Sequence, residues 1–341
     1  MDPFSHVAFG RTLAALHTPR VRDAGTIPAV MLGALAPDVD ALLMPFGWDI
    51  YLRVHEIGTH SLLGSLGIAA LTALVVRLSV RGSSYRPLIV AAWAGGLSHL
   101  ALDILSGAQV RLGSPLVDGR TSVPLVAMAE PVLIAIFLIG SIVLLRVGTR
   151  PPRRQRLAAI VVLAVTFLFL ALKTVLLTRA MSSLGGRSEQ VLKRVVEARW
   201  ASLTEWYVYD RTTDALQQRR VRAGGEPVIV LSWPIGSEPP LVTRSRSLST
   251  VRNFLRVHEL PFAVQLPDPA GGTDVLWSDI RFCRAPGGTS AAPKPAFPGP
   301  VASAGTTRIA CDLWFGGTFD DSGHVIRQRV QVGGWIQTRA P

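Results

Sequence analysis

The chain has 341 residues, 49% of them hydrophobic and only 17% charged, with a mean hydropathy of +0.35. That balance excludes an ordinary soluble protein and implies a membrane protein of about two domains. The net charge of +12 is spread evenly: residues 1–178 hold 15 Lys+Arg against 9 Asp+Glu, and residues 179–341 hold 20 against 14. No basic helix with interleaved aromatics occurs, so direct nucleic-acid binding is not expected.

Met1–Leu16 reads as a short amphipathic helix capped by Asp2 or Ser5, with His6 near its start. It lacks a basic segment followed by a long apolar core, so no cleavable signal peptide is expected. Thr26–Phe46 is apolar but interrupted by Pro37, Asp38 and Asp40. Carboxylates beside a proline are unfavourable in a simple spanning helix, so the segment is expected to be broken or re-entrant, its break facing a protein cavity. His55 and His60 follow, with Thr59 or Ser61 available to cap the next helix.

Ile57–Val76 is long enough to span, and Pro87–Ser106 crosses back. The second run carries His99 and Asp103, four residues apart and therefore on one helix face. An ionisable pair in such a segment is costly unless partnered, and so marks a functional site, with interhelical glue as the plainer alternative. Gly107–Ala129 is a loop with Arg111, Asp118 and Arg120, and Glu130 lies just past it. Pro131–Leu145, extended backward through Pro124–Ala129, and Leu157–Thr178 complete four crossings, with Lys173 placed to snorkel.

The loops at 77–86 and 146–156 hold three and five arginines and no acids, which predicts that they are cytoplasmic. The N-terminal region, the loop at 107–129 and everything after Thr178 then share the outer side. His60 begins its helix and His99 and Asp103 end theirs, so in an antiparallel pair they meet in one leaflet. His6, Asp38, Asp40, His55, His60, His99, Asp103 and Glu130 are thereby expected to converge at one membrane face.

From Ser188 the sequence alternates at period two between Gly, Pro and Asp punctuation, which predicts a β-rich soluble domain over residues 179–341. A helix is expected within Leu248–Glu259, and Ala285–Thr306 reads as a mobile loop. His258 and His324 are expected to be structural or surface residues, and Asp279 and Arg281 to form an ion pair. Cys283 and Cys311 either pair, if this domain lies in an oxidising compartment, or stay as buried thiols.

Imidazoles and carboxylates are the ligand set of zinc and similar divalent metals. One metal, with spare groups acting as base, and two metals bridged by a carboxylate are both compatible with this set. Arg120 and Arg111 are candidates for holding a substrate phosphate, or are ordinary loop cations near lipid headgroups.

The ordered motifs Met1-Asp2-Pro3…His6, Gly33-Ala34-Leu35-Ala36-Pro37-Asp38-Val39-Asp40, His55…Thr59-His60-Ser61, Ser98-His99-Leu100…Asp103, Gly107…Gln109 to Pro115, and Glu130-Pro131 resemble the YdjM-type family of membrane-bound metal-dependent hydrolases, described in part as LexA-binding and inner-membrane-associated. The Phe254–Cys283 segment resembles the soluble tail of many members. The pattern is also similar to zinc-dependent phospholipase C-like proteins, which implies phosphoester hydrolysis, with a lipid as one candidate substrate. Two departures stand out: Glu56 where the family usually has Arg, and Glu130-Pro131 where it usually has Asp-Pro.

The expectation is therefore a helical membrane domain over 1–178 carrying a divalent metal site for one or two ions, zinc first, followed by the β-rich domain. His6, Asp38, His55, His60, His99 and Asp103 are the expected ligands. Asp38, Asp40, His55 and Glu130 are the expected catalytic groups, and Arg120 the substrate contact. The expected function is hydrolysis of a phosphoester or ester at the surface of the inner or plasma membrane, with site and β domain extracytoplasmic. The alternative is a non-catalytic membrane scaffold whose β domain binds a protein partner. A proton-relay transporter is disfavoured because the acids gather at one face and no repeat is visible.

Overall fold

The computed structural model describes residues 1–16, 24–55, 58–148, 151–185, 191–284, 301–304 and 307–340. They form two compact units. One comprises Met1–Ala41, Val54–Thr178 and Glu197–Thr204; the other comprises Leu42–Arg53, Arg179–Val196 and Glu205–Pro341. A helical N-terminal region followed by antiparallel sheets is the architecture expected from hydropathy and periodicity.

The first unit is helical. Helix α1 (Pro3–Ala15) starts where Asp2 accepts the Ser5 amide at 2.9 Å, with proline in the first turn, where its missing N–H costs nothing. Helix α2 (Thr26–Leu35) passes into a 3-10 segment, Ala36–Phe46, at Pro37, whose nitrogen cannot continue the ladder. The break expected at the two aspartates is therefore present. After α3 (Trp48–His55) come α4 (Leu62–Ser79), capped by Ser61 accepting from the Gly64 amide at 3.0 Å, and α5 (Tyr85–Leu105). Two further helices, α6 (Pro131–Arg146) and α7 (Pro152–Ser182), follow.

Among the described residues, four stretches are long and apolar enough to cross a membrane: Thr26–Phe46, α4, α5 and α7. Helix α6 is apolar but shorter, about 24 Å at 1.5 Å per residue. Its expected backward extension does not form. The Leu125 and Val126 amides instead bond the Leu105 carbonyl, tying that stretch to the end of α5.

Helices α2 and α5 pack so closely that their backbones touch. A Cβ on Gly33 would lie 2.1 Å from the Ala92 carbonyl oxygen, and one on Gly95 would lie 2.2 Å from that of Val30. Ala29, Val30, Ala34, Ala91 and Ala92 are buried around this contact. Without a hydrophobic force between helices in lipid, small residues that admit close van der Waals packing are the available adhesive.

Lys173 departs from expectation. It does not snorkel to water; it is fully buried in α7, and its Nζ donates to the Ser202 carbonyl at 3.1 Å, with the Glu130 charge also acting on it. A buried ammonium needs such acceptors to offset its lost hydration. Segment Glu197–Thr204, which supplies Ser202, belongs to the helical unit although it lies far along the chain.

Among the described residues the second unit holds three antiparallel sheets. Strands β1 (Lys193–Ala198), β2 (Glu205–Arg211), β3 (Ala215–Arg222) and β4 (Val228–Pro234) form a meander in sequence order. Two short helices, α8 (Pro240–Ser245) and α9 (Ser249–Val257), precede β5 (Pro261–Pro267) and β6 (Thr273–Asp279). The remaining strands are β7 (Cys283–Arg284), β8 (Val301–Ala304), β9 (Thr307–Cys311), β10 (Leu313–Phe319), β11 (Val325–Val332) and β12 (Trp335–Arg339). The second sheet runs β12-β11-β10-β6-β5, the third β7-β9-β8.

Cys283 and Cys311 face each other in register and are joined by a disulfide. The loop expected over Ala285–Thr306 is shorter than read, because β8 occupies 301–304; residues 285–300 lie outside the described residues. Asp279 and Arg281 form the expected ion pair at 2.9 Å. His258 is wedged between Phe254 and Phe282, and His324 is exposed in a turn.

Asp49, at the start of α3, is buried in this unit, where the Arg339 guanidinium meets both its oxygens at 2.9 and 3.0 Å. Arg339→Ala is expected to destabilise the β-rich unit by about 1–3 kcal/mol, because a buried carboxylate loses its partner; near-UV circular dichroism on heating checks this. In the helical unit, Gly33→Ala is expected to lower the melting midpoint and lose bound metal. Gly67→Ala, where a Cβ meets nothing within 4 Å, is expected to leave both unchanged or slightly raise the midpoint.

Candidate metal centre

The centre grows from the α2–α5 contact. Where α2 gives way to the 3-10 segment, the Ala34 carbonyl has His99 on α5 as a partner, with its Nδ1 2.8 Å from the Ala34 oxygen. A carbonyl only accepts, so Nδ1 carries a proton, and in the neutral ring Nε2 keeps a lone pair. His99 is wholly buried, which fixes the ring as well as the tautomer.

His60 is set by a different device. Thr59 Oγ1 donates to Asp40 Oδ2 at 2.5 Å, so its oxygen is free to accept from His60 Nδ1 at 2.9 Å. His60 Nε2 is thereby also left without a proton. The same Asp40 oxygen receives His55 Nδ1 at 3.0 Å. Asp40 is thus a buried hub that orients two imidazoles, one directly and one through a hydroxyl. Thr59, expected at most to cap α4, has this role instead, while Ser61 caps.

The two bare Nε2 atoms face each other at 3.2 Å. Asp103 Oδ2 lies 3.1 Å from His99 Nε2 and 3.5 Å from His60 Nε2, and Asp38 Oδ1 lies 3.6 and 3.5 Å from the same atoms. Nitrogen lone pairs with no proton between them repel one another, and so do lone pairs on carboxylates. A divalent cation relieves that repulsion. Ligand bonds of 2.0–2.1 Å in a tetrahedron give edges of about 3.3 Å, close to the separations seen here. The donor set therefore fits a zinc-like ion.

His6 completes the cluster from α1. Its ring stacks on that of His99 at 3.8 Å, and its Nε2 is 3.3 Å from Asp103 Oδ1. Its Nδ1 has no hydrogen-bond partner among the described residues. The Met1 amine also donates to Asp103 Oδ1. Burial pushes the His6 and His60 imidazoles below their ordinary pKa, which keeps both neutral near pH 7, the state that binds metal.

Three groups of donor atoms converge within 4.8 Å: His6, Asp38 and His99; His60, His99 and Asp103; and Asp40, His55 and His60. Glu130 is not among them. It is buried at the start of α6, accepting the Ala127 amide at 3.3 Å. Arg120 bonds Gln109 at 3.4 Å and Arg111 bonds Asp118 at 3.3 Å, both on the loop that follows α5. Glu56, the departure between His55 and His60, lies outside the described residues.

Thr59→Val removes the hydroxyl that fixes the His60 tautomer while keeping the side-chain volume. It is expected to weaken metal binding by about 10–100-fold, read by competition with a chromogenic chelator. Thr59→Ser is expected to retain it.

No curated protein and no solved structure matches the chain. The model of a family described as YdjM inner membrane protein matches residues 1–179, which include every residue of the cluster. The chain therefore belongs to the YdjM inner membrane protein family.

Proposed function

We propose that the protein is a membrane-bound metal-dependent hydrolase acting on a phosphoester or ester presented at the bilayer surface. The observation that carries this reading is the pair of Nε2 atoms of His60 and His99, 3.2 Å apart and flanked by Asp103 and Asp38. A bound divalent ion, zinc first by the ligand chemistry, supplies Lewis acidity and a water of lowered pKa.

The residues do the rest. His60, His99 and Asp103 hold the ion, with His6 buttressing Asp103. The Asp38 side chain, 29% exposed, is the most open of the donors and marks the direction of substrate approach. His55, its Nδ1 held by Asp40, has Nε2 as a base to take a proton from the attacking water and return it to the leaving group. Arg120, with Arg111, would neutralise a substrate phosphate. A second ion is favoured by one observation: Asp40 Oδ1 is buried with no hydrogen-bond partner among the described residues, beside His55 and His60.

An extracytoplasmic site is supported by the arginine-rich loops at the opposite helix ends and by the Cys283–Cys311 disulfide, which persists in oxidising compartments. On this reading the β-rich unit selects substrate or binds a protein partner.

Plasma mass spectrometry of the detergent-purified protein is expected to find near-stoichiometric divalent metal, lost in His60→Ala/His99→Ala together with phosphoester turnover. Metal-free wild type after metal supply, with Asp38, His60 and Asp103 tolerant of substitution, would instead identify a non-catalytic scaffold.

A further inference from the structure

The loop after α5 is a folded hairpin. Residues 106 and 124 bridge, as do Val110 and Thr121, and the turn is closed by the Leu116 and Val117 amides bonding the Gly113 carbonyl. Its tip presents Leu116 and Val117 side by side, 78% and 65% exposed. Two adjacent apolar side chains pointing out of an otherwise well-bonded turn are unfavourable in water.

The depth of this tip follows from the helices at its base. The hairpin springs from the end of α5, and its Leu112 carbonyl accepts the amide of Leu62, the first residue of α4. Both helices are candidate spans, so their ends mark one edge of the apolar slab. The tip sits at that edge. Arg120, bonded to Gln109, and Arg111, whose largely buried side chain pairs with the exposed Asp118, lie on the same hairpin, and with Asp118 they leave it one net positive charge, which suits anionic headgroups. Exposed apolar residues on a hairpin that is otherwise polar suit the boundary between headgroups and acyl chains.

The same two helix ends carry the candidate metal centre. His60 lies two residues before Leu62, and Asp103 three before Ser106. We propose that Leu116 and Val117 anchor the hairpin in the bilayer interface, so that the centre meets the headgroup of an anionic membrane lipid rather than a soluble phosphoester. The substrate part of this proposal rests on the hydrolase reading; the anchor does not.

The two parts separate experimentally. Both native cysteines are in the disulfide, so Leu116→Cys introduces a single thiol for a nitroxide label. In phosphatidylglycerol/phosphatidylcholine vesicles the label is expected to collide with oxygen more than with a water-soluble nickel chelate. Greater collision with nickel overturns the anchor. In the second arm, Leu116→Asp/Val117→Asp is expected to lower turnover of vesicle phosphatidylglycerol at least tenfold while sparing bis(p-nitrophenyl) phosphate. An equal effect on both esters, or on neither, overturns the lipid assignment. Wild type inactive on both counts against the hydrolase reading, and the nitroxide result still decides the anchor.

Discussion

The closeness of α2 and α5 is the constraint on which the helical unit depends. Gly33 and Gly95 let the two backbones meet, and only at that separation does the Ala34 carbonyl reach the His99 ring. That carbonyl lies just before Pro37, where the α ladder ends and a 3-10 segment carries Asp38 and Asp40. The close approach costs little in lipid, where small residues pack without leaving polar groups exposed.

Around that contact the polar residues divide by job. His60, His99, Asp103 and Asp38 turn donor atoms toward one point. Asp40, Thr59 and the Ala34 carbonyl turn protons away from it. Such outer partners set ligand tautomer and basicity, and a centre without them would hold its imidazoles loosely. Nearly complete burial of His6 and His99 makes the arrangement expensive unless something offsets the lost hydration. That cost is offset if the cluster holds a metal ion, which its donor groups could do.

The β-rich unit is held by means common in soluble proteins. Trp206, Trp277, Trp314 and Phe315 fill its interior, and its buried acids are matched by arginine: Asp210 by Arg194 and Arg219, Asp274 by Arg329, Asp279 by Arg281, and Asp49 by Arg339. Asp49 lies early in the chain yet is gripped from near the C-terminus. No hydropathy pattern shows such a pairing, because it depends on which residues folding brings together.

The sequence by itself determined the fold class and most of the cluster. Apolar length announced α4, α5 and α7 as spans but also α6, which is too short to be a candidate, proline beside two aspartates announced the break, and the four-residue spacing of His99 and Asp103 fixed a shared helix face, because helical periodicity is local. It also marked His6, His55 and His60 through their places at helix ends. Tertiary structure alone decided the rest: that Thr59 bridges Asp40 to His60, that the Ala34 carbonyl orients His99, that Lys173 is buried against Ser202, and that Glu130 sits apart from the converging donors. Each of these is a contact between distant segments, set by how helices pack and by the need of every buried polar group for a partner. Spacing along a chain carries no record of it.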